Sequence, residues 1–268
     1  MADGVATMVG PVFDGPSVNI VPVDAWLASL AYTLQIYFDF SGYSDMAVGL
    51  SLMFNVRLPI NFYSPYQSGS IIEFWRRWHM TLSRFLKEYV YIGLGGNRYG
   101  KSRRYMNLLA TMLLGGIWHG ANWTFVIWGA LHGLFLCINH AWRAIVAKYI
   151  PGKLFPAYVS KPIGVFLTLL AVVVAWVFFR APNVDVAMQL LSAMAKLPLQ
   201  YQWGIIKPEI AIWVPILLAW VLLVPNTNQL MNYRFGSDLR IRKHRLISNW
   251  RPSTLWATIL GSVFFTIA

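Results

Sequence analysis

The sequence predicts an all-α, polytopic transmembrane protein with an interfacial amphipathic helix and a re-entrant hairpin, organised as a single membrane domain over residues 1–268. Three observations predict it. The chain is 57% hydrophobic and 16% aromatic but only 12% charged, well below the roughly 25% charged residues of a soluble domain. Its apolar residues fall into six regions separated by polar stretches. Its net charge of +12 gathers between those regions and forms no continuous face. That placement is the positive-inside bias of cytoplasmic loops, with attraction to anionic lipid as a side effect. A lipid bilayer is therefore the expected partner, and nucleic acid is not.

Met1 to Pro22 carries Asp3 and Asp14 and is not expected to be a cleavable signal peptide. The first apolar region, Ala25 to about Phe54, is interrupted by Gln35, Asp39, Ser41, Ser44 and Asp45. Carboxylates are expensive in lipid, so Asp39 and Asp45 should face protein or water. Either Gly42 breaks the helix and the acids cap its second half, or they take part directly in a site. Residues 61–104 are the least membrane-like part of the chain. Here Glu73, Trp75, Arg76, Trp78, His79, Leu82, Phe85, Leu86 and Tyr89 recur at helical spacing, which predicts an amphipathic helix in the interface with snorkelling arginines. The stretch Arg76 to Arg104 holds Arg76, Arg77, Arg84, Lys87, Arg98, Lys101, Arg103 and Arg104 against Glu88 alone, so it belongs on the cytoplasmic side. Gly93 to Arg98 is a turn signal without the lysine-serine pair of a P-loop.

The next apolar segment, Tyr105 to Ile117, is too short for the ~20 residues that a crossing helix needs. It is expected to stop inside the bilayer and fold back through Gly115-Gly116-Ile117-Trp118-His119-Gly120-Ala121-Asn122-Trp123 into the region Ala121 to about Ala141. Irregular backbone is not tolerated in contact with lipid, so the hairpin tip should be buried in protein or line a cavity. With the first basic loop inside, the acid-free loop Arg143 to Lys161 also falls inside. Pro162 to Phe179 then leads outward to a mixed loop, and Ile210 to Val224 returns to a second basic cluster, Arg234 to Arg251. Thr254 to Ala268 is the last span expected. Cys137 is the single cysteine and can form no disulfide within the chain.

Three long motifs, in order, carry a resemblance that covers Tyr37 to about His140. They are YFDFSGYSDMAVGL (Tyr37 to Leu50), FWRRWHMTLSRFLKEYVYIGLGGNR (Phe74 to Arg98) and MLLGGIWHGANWTFVIWGALHG (Met112 to Gly133). The chain closely resembles the membrane-bound O-acyltransferase family, in the bacterial branch that acetylates alginate. Teichoic acid D-alanyl transferases are more distant members. The resemblance implies a multi-pass enzyme of the bacterial inner membrane, with a catalytic histidine in the Trp-His-Gly motif, here His119, and a second motif histidine, here His79. Family members carry further spans before the first motif, so this chain resembles a C-terminal portion.

The chemistry implied is transfer of an acetyl or other acyl group from a thioester to a hydroxyl, with no tightly bound cofactor. Acetyl-coenzyme A or a related thioester is the expected donor, from the cytoplasm. An exported polysaccharide such as alginate is the expected acceptor, reached directly or through periplasmic acetyl-relay proteins. A neutral imidazole suits the base that must take the hydroxyl proton near pH 7, and an ionisable group at bilayer depth is functional by default. No Gly-x-Ser-x-Gly elbow occurs and Cys137 stands outside any motif, which favours direct attack over an acyl-enzyme. His79 either polarises the thioester carbonyl or holds the amphipathic helix to the core. Trp118, Asn122 and Asp39 are candidate supporting residues; Asn122 either donates to the oxyanion or caps the hairpin turn. Arg76 and Arg77 either attract the donor's phosphates or serve as anchors. His132, His140 and His244 stand at no spacing that implies chemistry, and no metal-ligand spacing occurs. Two other functions fit parts of the pattern: a truncated, non-catalytic partner-binding subunit, and a channel or transporter fragment that uses the intramembrane acids and His119.

Overall fold

A computed structural model describes residues 2–15, 20–149, 157–196 and 204–231, together with 233 and 258. Every regular element among them is helical: α1 (Ala2–Phe13), α2 (Pro22–Met53), α3 (Ile71–Trp75), α4 (Met80–Phe85), α5 (Gly100–His119), α6 (Trp123–Tyr149), α7 (Ala157–Arg180), α8 (Val184–Ala195), α9 (Pro208–Ala211), α10 (Trp213–Leu223) and α11 (Thr227–Leu230). The second basic cluster, Arg234 to Arg251, and all but Thr258 of the final span lie outside the described residues. Three stretches are long and apolar enough to cross a bilayer: Trp123–Tyr149, Val159–Arg180 and Pro208–Leu230. These match three of the spans expected from the sequence.

Helix α2 begins at Pro22, whose fixed φ suits a first turn. In that turn the buried Asp24 carboxylate accepts the backbone N–H groups of Ile205 (2.6 Å) and Ile206 (3.1 Å), tying the start of α2 to a segment far along the chain. The helix then runs unbroken to Met53, through Gly42. The expected break does not occur. One glycine costs only ~1 kcal/mol in a helix, and the buried side chains along α2 outweigh it. Its inner face, including Ala28, Ala31, Tyr32 and Leu34, packs against α1, α7 and α8.

The single amphipathic helix expected between Glu73 and Tyr89 is also corrected. The structure breaks it at His79, which has φ 41°, into α3, α4 and a π-helical turn at Leu86–Tyr91. The break has a cause on each side of the histidine. The amide of Tyr63 donates to the carbonyl of Arg77 (3.0 Å), and the amide of Met80 donates to the carbonyl of Asn61 (3.0 Å). The Asn61 side-chain oxygen also accepts from the Thr81 amide (3.2 Å) and hydroxyl (2.7 Å). These bonds replace helical ones, and Phe74, Trp75 and Trp78 turn into the core instead of lying along an interface.

Helices α5 and α6 form an antiparallel pair at the expected turn, but the first arm is longer than the apolar segment: α5 has 20 residues because its basic first turn is helical too, and α6 is long enough to cross a bilayer. The arms run antiparallel and close together. An added Cβ at Gly116 would lie 2.3 Å from the Phe125 carbonyl oxygen, and one at Gly129 would lie 2.5 Å from that of Met112. Small residues thus let backbone meet backbone, which sets helix association where lipid removes the hydrophobic drive. The hairpin tip is not wholly enclosed as expected. Trp118 and Trp123 are 67% and 74% exposed, because only one face of the tip rests on α7. Helix α7 is the centre of the core, with Val172, Val173, Ala175, Trp176 and Val177 all buried.

Candidate active site

His119 is the last residue of α5, held where the hairpin turns. Its half-buried ring meets Trp128 edge-on (5.2 Å, 90°), Phe179 edge-on (5.0 Å, 79°), and Trp118 (5.0 Å, 66°). The ring makes no hydrogen bond to another described residue, so packing alone orients it and its nitrogens stay available to a substrate.

His79, from a different tract, lies within electrostatic range of His119. Its ring stands edge-on to Phe40 of α2 (4.8 Å, 85°), and its Nδ1 is buried without a hydrogen-bond partner. Burial, and secondly the nearby His119 ring, push the His79 imidazole down from 6.5 to about 4. At neutral pH it is therefore uncharged. An unbroken series of aromatic contacts joins the two histidines: His79 to Phe40, Phe62, Trp78, Trp176, Trp128 and then His119, with successive centroids 4.8 to 5.9 Å apart. Rings this closely packed cannot hop between rotamers independently. The aromatic wall was legible only as aromatic richness in the motifs.

The other residues expected at the site separate into groups. Asn122 is a cap: its side-chain oxygen accepts from the Thr124 amide (3.1 Å) and its amide donates to the Pro182 carbonyl (2.8 Å). Trp118 lies against His119 with its other face exposed. Asp39 is exposed on α2 and touches neither histidine, while Asp45 accepts from Asn228 (3.0 Å). Arg77 is engaged within the fold, paired with Glu73 (2.7 Å), donating to the Tyr63 carbonyl (3.3 Å) and lying over its ring. Arg76 points to solvent. His132, to which the spacing gave no role, is fully buried behind the wall, where its Nδ1 accepts from the Trp75 indole (3.2 Å). Among the described residues no group of three or more His, Cys, Asp or Glu side chains is placed to hold a metal.

Residues 17–180, more than half of the chain, match the sequence profile of MBOAT, the membrane-bound O-acyltransferase family. The chain belongs to that family. It is 47% identical over 197 residues to the peptidoglycan O-acetyltransferase of Helicobacter pylori, covering 74% of this chain and 36% of that protein. It is 55% identical over 171 residues to the probable alginate O-acetylase of Azotobacter vinelandii, covering 64% and 32%. A teichoic acid D-alanyltransferase of Streptococcus thermophilus is 30% identical over 63% of this chain. The chain spans about a third of the length of the first two relatives. The matched region includes α2, the broken α3–α4 tract, the α5–α6 hairpin and α7, and so contains both histidines and the whole aromatic wall.

Proposed function

We propose that this membrane-bound O-acyltransferase chain carries the acyl-transfer centre of an inner-membrane enzyme that acetylates hydroxyls of an exported polysaccharide, with His119 as the base. The observation that supports the reading is that His119 and His79, 40 positions apart in sequence, lie within electrostatic range of each other along one connected series of aromatic rings, with His79 Nδ1 unpartnered. His119 takes the proton of the acceptor hydroxyl as its oxygen attacks the thioester carbonyl carbon. The tetrahedral intermediate collapses, the C–S bond breaks, and the departing thiolate receives that proton from His119. Neutral His79 offers a hydrogen bond to the developing oxyanion without adding charge.

Depth supports an arrangement open to substrates from both faces. With the basic first turn of α5 at the cytoplasmic surface, Tyr105 to His119 reaches about 22 Å at 1.5 Å per residue. That is short of the ~30 Å hydrocarbon core, and in this reading the tip stops within reach of the outer side. Acetyl-coenzyme A or a related thioester is the donor in this reading, and separate periplasmic proteins receive or relay the acetyl group. Two of the relatives described above are named for O-acetylation of peptidoglycan and of alginate, which supports the acceptor class.

The test is the O-acetyl content of exported polysaccharide in cells that depend on the full-length protein, comparing parent, His119→Ala and His79→Ala at matched membrane abundance. Loss by at least ~10²-fold in His119→Ala is expected for removal of a general base. Unchanged acetylation in a well-expressed His119→Ala protein would overturn the assignment.

A further inference from the structure

At the opposite end of the hairpin from His119, the structure gathers cations. Arg104 of α5 places its guanidinium 2.6 Å from Nδ1 of His140 on α6. Arginine always donates, so Nδ1 must accept and the ring proton must sit on Nε2. Arg76, from the end of α3, and Arg143, one turn beyond His140, both lie within electrostatic range of the same ring. The group is therefore built from donors: three guanidiniums and an imidazole N–H. The two ion pairs among the described residues are Arg77–Glu73 and Arg180–Asp14, so none of these three arginines has a carboxylate partner. Arg76 and Arg143 are exposed, and Arg104 and His140 are half-buried.

Like charges brought within electrostatic range from three separate helices repel one another, and an anion seated among them turns that repulsion into attraction. A positive-inside bias alone explains cations on one side of the membrane, but it does not require that one of them hold a histidine ring with two more arginines within electrostatic range. We propose that Arg76, Arg104, Arg143 and His140 form a phosphate-binding site at the basic end of the α5–α6 hairpin. Guanidinium forks match phosphate oxygens two at a time, which a scatter of lysines would not do. The site lies about 22 Å along α5 from His119, so a phosphate held there is not at the reacting bond. It either anchors the carrier end of a thioester donor, a role that rests on the acyl-transfer reading, or seats the headgroup of an anionic phospholipid, which does not.

Two binding measurements on the full protein in nanodiscs separate these sources and need no turnover. In phosphatidylcholine nanodiscs, free coenzyme A is titrated calorimetrically. In discs of mixed phosphatidylcholine and phosphatidylglycerol, native mass spectrometry counts retained phosphatidylglycerol. The variant Arg104→Gln/Arg143→Gln is compared with Arg57→Gln/Lys196→Gln, which removes the same charge at exposed positions elsewhere. The single variant Arg143→Gln, at an exposed side chain, serves if the double variant folds poorly. The cluster variant should weaken one of the two ligands by roughly tenfold or more while the control stays within about twofold. Loss of coenzyme A binding assigns the donor, and loss of phosphatidylglycerol assigns the lipid. Equal effects of cluster and control variants on both ligands overturn the site.

Discussion

Gly116→Ala tests whether the hairpin's backbone contact positions His119. The new Cβ would lie 2.3 Å from the Phe125 carbonyl oxygen and 3.2 Å from the Gly129 Cα, where ordinary contact starts at 3.4 Å. Both neighbours are backbone atoms, so no side-chain rotation relieves the clash. The arms must part by about 1 Å, because packed interiors have no slack to absorb the difference. Overpacking of this kind costs about 1–3 kcal/mol, or a fall of roughly 2–12 °C in thermal midpoint for a chain of this size. Gly116 is one turn before His119, so the same displacement carries the imidazole with it, and a misplacement of ~1 Å can lower turnover by ~10²-fold. The assay is the thermal midpoint in detergent with O-acetylation in cells, against Gly4→Ala, where nothing lies within 4 Å of the added Cβ. Gly4→Ala should be neutral or stabilising by up to about 1 kcal/mol. A Gly116→Ala protein with the parent's midpoint and the parent's acetylation would refute the reasoning.

Two further outcomes follow from the site. His79 is held neutral, its value moved from 6.5 down to about 4, so the unfolded chain binds the extra proton between those values. Stability should therefore be fully present above pH 6.5 and decline as pH falls towards 4; the thermal midpoint of His79→Gln should lack this part of the decline, and parallel pH profiles would contradict the burial argument. Asn122→Ala removes both the α6 cap and the bond to the Pro182 carbonyl, an expected loss of about 0.5–2 kcal/mol. Asn122→Asp keeps the cap acceptor and loses only the amide donor, so it should retain most acetylation; if it is as inactive as His119→Ala, Asn122 is an oxyanion donor after all.

The sequence carried the membrane class and the turn between α5 and α6, because each depends on local composition, while the length of α5 exceeds its apolar part because the basic turn before Tyr105 is helical as well. The break at His79 was not legible, since it is imposed by Asn61 and Tyr63, which bond across it from outside the helical pattern. Periodicity reports what a segment prefers alone, and tertiary hydrogen bonds overrode that preference here. Asp39 misled for a related reason: a carboxylate in an apolar region draws attention, but its direction around α2 depends on which face meets α7 and α8. The Arg104–His140 contact was equally hidden, because it pairs the start of one arm with the end of the other.

The different environments of the two histidines argue for different roles. His79 sits in a left-handed backbone conformation that only its flanking hydrogen bonds maintain, with Nδ1 buried against aromatic rings. Protonating it would place a charge where no carboxylate compensates, so it suits a fixed neutral donor better than a group that cycles through the imidazolium. His119 ends a helix, beside the partly exposed turn Gly120 to Asn122, where a transient charge can be solvated and where the C-terminal end of the α5 dipole favours a cation. A base must become cationic for one step of every turnover. Of the two rings, the geometry lets His119 do so at lower cost, which is why the proposed mechanism assigns it the base and His79 the fixed neutral donor.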